Sequence, residues 1–424
     1  MGRKLNFIVL TVLVIISLSF ASNYPELSSN IDKGDTAWML VASAFVLLMT
    51  PGLSFFYGGM INKKNIISTM LQSFVALGVI SVIWVVFGFS LAFGESFGGI
   101  IGNPLSYFNF KGVGSEPNAD FAETIPFLLF ALFQLKFAII TPALITGSMA
   151  GRIRFRSYIL FMVLFSIFIY CPLAHMTWHP EGLFRNWGVL DFAGGTVVHM
   201  SAGFAALAGA VFLGKRSDST IRNANVPYVI LGTGLLWFGW FGFNAGSALG
   251  ANEDAVIAFA NTNIASATAM LTWIFYERML DRKMSAVGAC IGAVVGLVAI
   301  TPAAGFVNIG QSMFIGFAAS IVSNWAIHFQ NKSDIDDTLD VFPSHGIGGI
   351  TGMLLTAVFA SGVGLIYGEI STFMYHLLAL LITGLLAFFG SLALYKFVDV
   401  LLTMRVRPDQ EERGLDISQH GEQA

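Results

Sequence analysis

Two apolar stretches decide the fold: DFAGGTVVHMSAGFAALAGAVFLG, residues 191–214, and HGIGGITGMLLTAVFASGVG, residues 345–364. We interpret each as a membrane-spanning helix, because about 20 mostly apolar residues suffice to cross a bilayer. Each contains one histidine, His199 in the first and His345 in the second. An ionisable ring inside a membrane span is costly and marks a functional site by default. The two stretches therefore predict a membrane protein that uses both histidines.

The composition of the 424-residue chain supports this interpretation. Hydrophobic residues make up 55% of the chain and charged residues only 11%, whereas a soluble domain carries about 25% charged residues. A net charge of -3 provides no basic stripe for nucleic acid. Cys171 and Cys290 are predicted to be packed thiols. His175 and His179 have no third ligand in the sequence, so we predict neither a metal site nor a cofactor.

Residues 1–21 are predicted to be a signal peptide that is cleaved after Ala21. A basic beginning is followed by the apolar run from Leu5 to Phe20 and by small residues at the two cleavage positions, Ser19 and Ala21. The alternative is an uncleaved anchor helix. Residues 22–404 then form the membrane domain, and residues 405–424 form a cytoplasmic tail.

Hydropathy predicts an all-α integral membrane protein with eleven transmembrane helices. Their expected positions are 36–60, 65–93, 122–149, 157–178, 192–213, 226–246, 254–276, 285–301, 310–328, 345–361 and 371–402.

The basic residues of the connecting segments alternate in density, which predicts the orientation. One side has only Lys33, Lys111 and Arg185. The N-terminus is therefore predicted outside and the C-terminus inside. The basic residues of the inner side are Lys63, Lys64, Arg152, Arg154, Arg156, Lys215, Arg216, Arg222, Arg278, Arg282, Lys283, Lys332, Arg405, Arg407 and Arg413.

Eleven spans divide into two five-helix halves and a long final helix. Halves with an odd number of spans have opposite orientations, and such inverted repeats are typical of transporters, with the substrate path between the halves. His199 falls on the fifth span and His345 on the tenth, so they occupy corresponding places. We expect the two rings to face each other.

Aromatic side chains and one hydroxyl group recur at helical spacing near the outer ends of the spans. Aromatic faces attract cations, and a hydroxyl oxygen accepts hydrogen bonds from N–H donors. The set would suit a small cation that donates hydrogen bonds. The alternative is an interfacial aromatic belt together with core packing. The residues are Phe133, Phe137, Trp178, Trp240, Phe243 and Ser247.

Eight segments of the chain carry a resemblance to a known family: FYGGMINKKN from Phe56, FQLKFA from Phe133, AHMTW from Ala174, LDFAGGTVVHMSAG from Leu190, WFGFNAGSA from Trp240, ANTNIASATA from Ala260, TPAAGFV from Thr301 and DVFPSHGIGGITG from Asp340. The motifs on the fifth and tenth spans are highly specific when they occur together. From about Asp35 onwards the chain resembles a bacterial ammonium transporter of the Amt/Mep/Rh family, Amt subclass.

The resemblance implies a role for each residue that matches a family motif. Phe133, Phe137, Trp178 and Ser247 match an external ammonium recruitment site. Phe137 and Phe243 match a phenyl gate, and His199 and His345 match a twin-histidine hydrophobic pore. Asp191 matches an acid that organises the entrance, and Trp240 matches a pore-wall aromatic.

The resemblance also implies partners and a location. We expect transport of ammonium or methylammonium, a homotrimer with one pore per subunit, a position among the lipids of the bacterial cytoplasmic membrane, and a PII-type signal protein at the inner face. Transport is expected to be electrogenic, with proton and ammonia crossing separately; a neutral ammonia channel and an ammonium sensor remain alternatives. An enzyme is not expected, since no motif provides a nucleophile or activated water.

Three polar residues leave questions open. Asp191 precedes the fifth span and is also a candidate helix cap. Asp340 is expected to cap the tenth span. Lys136 lies between the two phenylalanines of FQLKFA, and we expect it to extend to the outer interface or to an acid such as Glu123. An inward-pointing Lys136 would repel ammonium.

Overall fold

A computed structural model describes residues 2–17, 30–218 and 223–424. Most of these residues are helical. The predicted cleavage point after Ala21 and the basic residue Arg222 lie outside the described residues. In chain order the helices are α1 (Gly2–Ser17), α2 (Lys33–Met60), α3 (Lys63–Phe93), α4 (Phe127–Met149), α5 (Phe155–Asn186), α6 (Gly195–Leu213), α7 (Val226–Ala248), α8 (Glu253–Met279), α9 (Ala286–Ile300), α10 (Ile309–Gln330), α11 (342–359), α12 (Ile370–Leu401) and α13 (Pro408–Arg413).

Within the described part of the chain, nine helices are long and apolar enough to cross a membrane: α2 to α8, α10 and α12. Two other predicted spans fall on helices that do not meet this standard. α9 has 15 residues, and α11 begins with a six-residue π-helical turn before 12 residues of α-helix. The structure is thus mainly helical and multi-pass, as expected. By length and composition alone, α9 and α11 are not identified as spans.

Glycines allow pairs of helices to pack with their main chains in contact. A methyl group added at Gly232 of α7 would fall on the main chain of Gly52 and Phe56 in α2. A methyl group at Gly203 of α6 would fall on the main chain of Gly346 in α11. Small residues at such crossings are the usual means of close helix packing in membranes. The second crossing brings together the two helices that contain His199 and His345.

Both histidines lie in π-helical turns. His199 is in the turn Gly195–Met200 at the start of α6, and His345 is in the turn Phe342–Ile347 at the start of α11. Such turns are rare and are frequent at functional sites, because the wider turn shifts the side chains that follow it. The two histidines therefore share a local backbone conformation as well as a place in the order of helices.

Short elements cover the two ends of the bundle. Between α3 and α4, β1 (Ser96–Phe97) pairs antiparallel with β2 (Ile101–Gly102). At the other end, the chain after α12 returns to the body, where Ile153 and Arg405 form a β-bridge. Cys171 and Cys290 are both buried and free, as predicted.

Candidate functional site

A cavity of about 390 Å³ opens between α4, α5 and the segment before α6. We call it the outer cavity, after the orientation predicted from the sequence. Trp178, Ser247 and Asp191 line it, together with Phe137, which lies at its base against Phe243. Phe133 does not line the cavity and is fully buried. The other residues of the outer cavity are Phe93, Asp120, Phe121, Phe130, Gln134, Thr177, Arg185, Gly188, Val189, Leu190, Phe192, Leu249 and Phe306.

The Asp191 carboxylate closes the beginning of α6. One oxygen accepts hydrogen bonds from the backbone N–H groups of Gly194 and Gly195, at 2.8 and 2.6 Å. The other accepts from the N–H and the hydroxyl of Thr196, at 2.8 and 2.5 Å. Gly194 has a φ of 114°, a conformation that favours glycine. Four donors satisfy both carboxylate oxygens, so this acid fixes the backbone that leads to His199.

Trp178 is fixed at its ring and at its main chain. Its indole Nε1–H donates to the backbone carbonyl of Asp191 over 3.2 Å. Arg185 donates to the carbonyl oxygen of Trp178 over 3.0 Å. The acid that caps α6 therefore also positions an aromatic wall of the outer cavity.

A series of ring contacts leads inward from the cavity. The ring centroids of Phe133 and Phe137 are 5.0 Å apart, and those of Phe137 and Trp178 are 5.8 Å apart. Phe137 and Phe243 are closest, with centroids 4.3 Å apart and planes tilted by 40°. Phe137 lines the outer cavity, and Phe243 contacts the ring of His199.

His199 and His345 face each other, with ring centroids 5.4 Å apart. Their Nδ1 atoms are 3.3 Å apart, so one ring donates this hydrogen bond and the other accepts it. Both rings are almost fully buried. The Nε2 atom of His199 is buried and has no hydrogen-bond partner among the described residues. This nitrogen therefore lacks the hydrogen bond that a buried ring nitrogen normally makes.

Trp240 and Phe243 pack on the outer of the two histidines. The centroid of His199 is 5.4 Å from that of Trp240 and 6.0 Å from that of Phe243, with nearly parallel planes. The Trp240 Nε1–H donates to the Thr301 hydroxyl over 2.9 Å, which fixes the indole plane. Thr301 donates in turn to Leu297 O over 2.8 Å.

A second, much smaller cavity of about 10 Å³ lies beyond His345. This is close to the minimum that holds one water molecule. Its walls are otherwise mostly apolar, and Tyr57 is held there by a 3.0 Å hydrogen bond from its hydroxyl to Leu144 O. The space beside His345 is therefore narrow and weakly polar.

Sequence analysis did not single out four polar residues of this region. Gln134 and Thr177 line the outer cavity. Thr196 and Thr301 support Asp191 and Trp240. Gln134 lies inside the quoted segment FQLKFA, so its position beside two site phenylalanines was the available signal. The three threonines also lie in quoted segments, AHMTW, LDFAGGTVVHMSAG and TPAAGFV, but hydroxyl side chains are common in membrane helices, so nothing distinguished them.

The expected helix cap at Asp340 is wrong. The Asp337 carboxylate accepts the hydrogen bond from the N–H of Phe342, the first residue of α11, at 2.7 Å. Asp340 has a φ of 54°, and its carboxylate accepts only a long 3.4 Å contact from Gln330 among the described residues. Burial, and next the neighbouring Asp337, raise the pKa of Asp340 to about 8.

Lys136 is half-buried and does not line the outer cavity. Among the described residues it forms no ion pair, so the suggested contact with Glu123 is not present. His175 has a structural position: its Nδ1 contacts Ala92 O at 3.0 Å, and its Nε2 contacts Ser96 Oγ at 2.8 Å.

Within the described residues, nine helices able to cross a membrane, with a buried histidine pair among them, fit the class of multi-pass membrane transporters. The profile of the Ammonium Transporter Family matches residues 37–424. An ammonium transporter of Aquifex aeolicus is 46% identical over 429 residues, which cover 100% of this chain and 99% of the relative. The crystal structure of Saccharomyces cerevisiae Mep2 matches with a TM-score of 0.85 and 33% sequence identity. The match covers 91% of this chain and 90% of the Mep2 chain. A structure titled Sensor Amt Protein has the same TM-score at 29% identity, covering 91% and 98%.

This chain belongs to the ammonium transporter family. It is an ammonium transporter of the membrane, and the family is one of transporters rather than enzymes.

Proposed function

We propose that the outer cavity recruits ammonium, that the ion loses a proton above the Phe137–Phe243 pair, and that ammonia then passes His199 and His345. The observation that carries this proposal is the unbroken series of contacts from cavity to histidines. The ring centroids of Phe137 and Phe243 are 4.3 Å apart, and those of Phe243 and His199 are 6.0 Å apart. The ring centroids of His199 and His345 are 5.4 Å apart.

Recruitment rests on rings and a hydroxyl group. The Ser247 hydroxyl donates to Phe243 O over 2.8 Å, which leaves its oxygen free to accept from an ammonium N–H. Trp178 and Phe137 provide aromatic faces that attract a cation. Potassium shares the attraction to the rings but has no proton to donate or to lose. The role of Phe133 is then to support Phe137 from behind.

Asp191 acts in this proposal as an organiser of the entrance. Its oxygens already accept four hydrogen bonds, so a fifth donor would have to displace one of them. Its negative charge still lowers the energy of a cation in the neighbouring cavity. Removing the charge therefore affects both the shape and the potential of the recruitment site.

Deprotonation avoids the cost of carrying a charge through an apolar passage, which is several kcal/mol or more. The neutral twin histidines offer a separate route for the proton, because each ring has one donor and one acceptor. Net transport is then electrogenic. A neutral ammonia channel, in which the proton returns outside, is the second candidate.

The larger architecture follows the same proposal. α2 to α12 form eleven spans, with the N-terminus outside and the C-terminus inside, and α2–α6 and α7–α11 are inverted repeats. The positions of the two histidines support this arrangement. The π-helical turn that contains His199 begins α6, the last helix of one half, and the turn that contains His345 begins α11, the last helix of the other. Residues 1–21 are a signal peptide, 22–404 the membrane domain and 405–424 the tail.

The tail is proposed to be the regulatory segment that faces the cytoplasm. Asp416 accepts hydrogen bonds from the backbone N–H groups of Ile67 and Ser68, at 3.1 and 2.8 Å. The Leu415 N–H donates to Asn65 Oδ1 over 2.8 Å. These contacts tie the tail to the beginning of α3. We further propose a homotrimer in the bacterial cytoplasmic membrane, with a PII-type protein bound at this face.

Current recording on solid-supported membranes tests the proposal. Purified protein in proteoliposomes receives pulses of ammonium or potassium, and wild type is compared with Asp191→Ala. A saturable ammonium current that is absent for potassium and lost in the variant is expected. An internal pH rise without current would instead favour the ammonia channel, and the absence of both signals would favour a sensor.

A further inference from the structure

Gln134 is a polar side chain in otherwise largely aromatic surroundings. It lies on α4 directly after Phe133 and three residues before Phe137, so it shares a helix face with Phe137. It is 8% exposed, and what is exposed borders the outer cavity. Three phenylalanines, Phe93, Phe121 and Phe130, line the same cavity.

The amide of Gln134 lacks the hydrogen bonds that a buried amide normally has. Its Oε1 atom is buried and has no partner among the described residues. A buried acceptor without a partner is unfavourable, and an apolar side chain of similar volume would avoid that cost. Because no described residue bonds to this oxygen, no hydrogen bond at Oε1 holds the amide in one of its two orientations.

We propose that Gln134 is a second hydrogen-bond acceptor for ammonium in the outer cavity, in addition to Ser247. The amide oxygen and nitrogen have nearly the same shape. A half-turn of the amide therefore presents the oxygen to the cavity with little change in packing. Ammonium has four N–H donors, and Ser247 offers one oxygen, so a second acceptor replaces more of the lost hydration.

This inference rests on the proposed function of the outer cavity and makes a narrower claim about it. A residue that holds the ion before the gate changes the concentration needed for half-saturation. It has little effect on the maximal rate, because binding in the ground state is what it provides. A residue that only fills space would alter stability instead.

The test compares Gln134→Met, Gln134→Glu and wild type by ammonium-induced current. Met keeps the length of the side chain but has no comparable acceptor, and we expect the half-saturating ammonium concentration to rise on the order of tenfold. Glu has an oxygen at both terminal positions, so it provides the acceptor whichever way it turns. We expect Gln134→Glu to restore half-saturation to the wild-type value or below it.

Gln72→Met is the matched control. Gln72 is also buried with an unpaired Oε1, but it lies on α3 and does not line the outer cavity. Its replacement should leave half-saturation unchanged. Thermal unfolding in detergent shows whether each variant is folded.

Three results are distinguishable. A wild-type ammonium current with unchanged half-saturation in folded Gln134→Met overturns the role of Gln134 and leaves the proposed function intact. The absence of any saturable ammonium response in wild type overturns the proposed function itself. Gln134→Met that raises half-saturation, while Gln134→Glu and Gln72→Met do not, supports the inference.

Discussion

The indole N–H of Trp178 donates to the main-chain carbonyl of Asp191, 3.2 Å away, while the carboxylate of the same aspartate caps α6. One residue therefore connects the wall of the outer cavity to the helix that contains His199. A change at Asp191 alters both, whereas a change at Trp178 alters the cavity wall alone. The effects of the α6 cap and of the cavity wall on transport can therefore be measured separately.

Asp191→Asn should retain part of the helix cap but lose the charge. An amide has one acceptor oxygen where the carboxylate has two, so at least two of the four donors lose their partner. We expect a loss of stability of about 1–3 kcal/mol and at least a tenfold loss of current. Trp178→Phe, which keeps a ring but loses the donor, should raise half-saturation with a smaller effect on stability. Equal stability of Asp191→Asn and wild type would contradict the capping role.

Replacing His345 with Leu should stop the proton relay while keeping an apolar side chain in place. In wild type, Nδ1 of His199 lies 3.3 Å from Nδ1 of His345. In the variant this nitrogen loses the ring with which it would exchange a proton. The ammonium current is expected to fall at least tenfold, measured on solid-supported membranes. His328→Gln is the control, because His328 lies near the end of α10 and away from both cavities. Full current in His345→Leu would rule out the relay.

Thr301→Val removes the hydroxyl that accepts from Trp240. The indole N–H would then be buried without a partner, at a cost of about 1–3 kcal/mol. Because Trp240 stacks on His199, the imidazole ring of His199 should also become less well fixed. We therefore expect the maximal current to fall several-fold. Thermal unfolding and current recording check the two effects. An unchanged melting temperature would show that another acceptor replaces Thr301.

Gly203→Ala should push α6 and α11 apart. The added methyl group would overlap the main chain of Gly346, next to His345. Such overpacking costs about 1–3 kcal/mol, and the separation of the two rings should reduce current. Gly234→Ala is the matched control, because its Cβ would have no neighbour within 4 Å. Equal stability and equal current of Gly203→Ala and Gly234→Ala would argue against a tight crossing at Gly203.

Asp416→Ala should release the tail from α3. Two backbone N–H groups at the beginning of that helix lose their acceptor, which costs about 1 kcal/mol for a helix cap. Protease cleavage within residues 405–424 should become faster by several-fold. Asp409→Ala is the control, since Asp409 forms only an exposed pair with Arg407. If Asp416→Ala and wild type were cleaved at equal rates, other contacts would fix the tail.

Part of this molecule could be predicted from sequence. Apolar runs of sufficient length predicted a mainly helical membrane protein, because a bilayer requires long apolar helices whose backbone groups are paired internally. The aromatic and histidine positions could be predicted individually, since each stood in a recognisable motif. The cap at α11 could not, because Asp337 and Asp340 are both plausible by spacing. In the structure the Asp337 carboxylate accepts the hydrogen bond from the N–H of Phe342.

The sequence by itself determined which segments are apolar helices and that His199 and His345 each lie in one of them. Tertiary structure alone decided that the Nδ1 atoms of these histidines lie 3.3 Å apart, although they are separated by 146 positions. It also decided that Trp178 contacts Asp191, that Thr301 supports Trp240 and that Gln134 lies on the outer cavity. The physical reason is that hydropathy depends on each residue alone, whereas a contact depends on how whole helices cross.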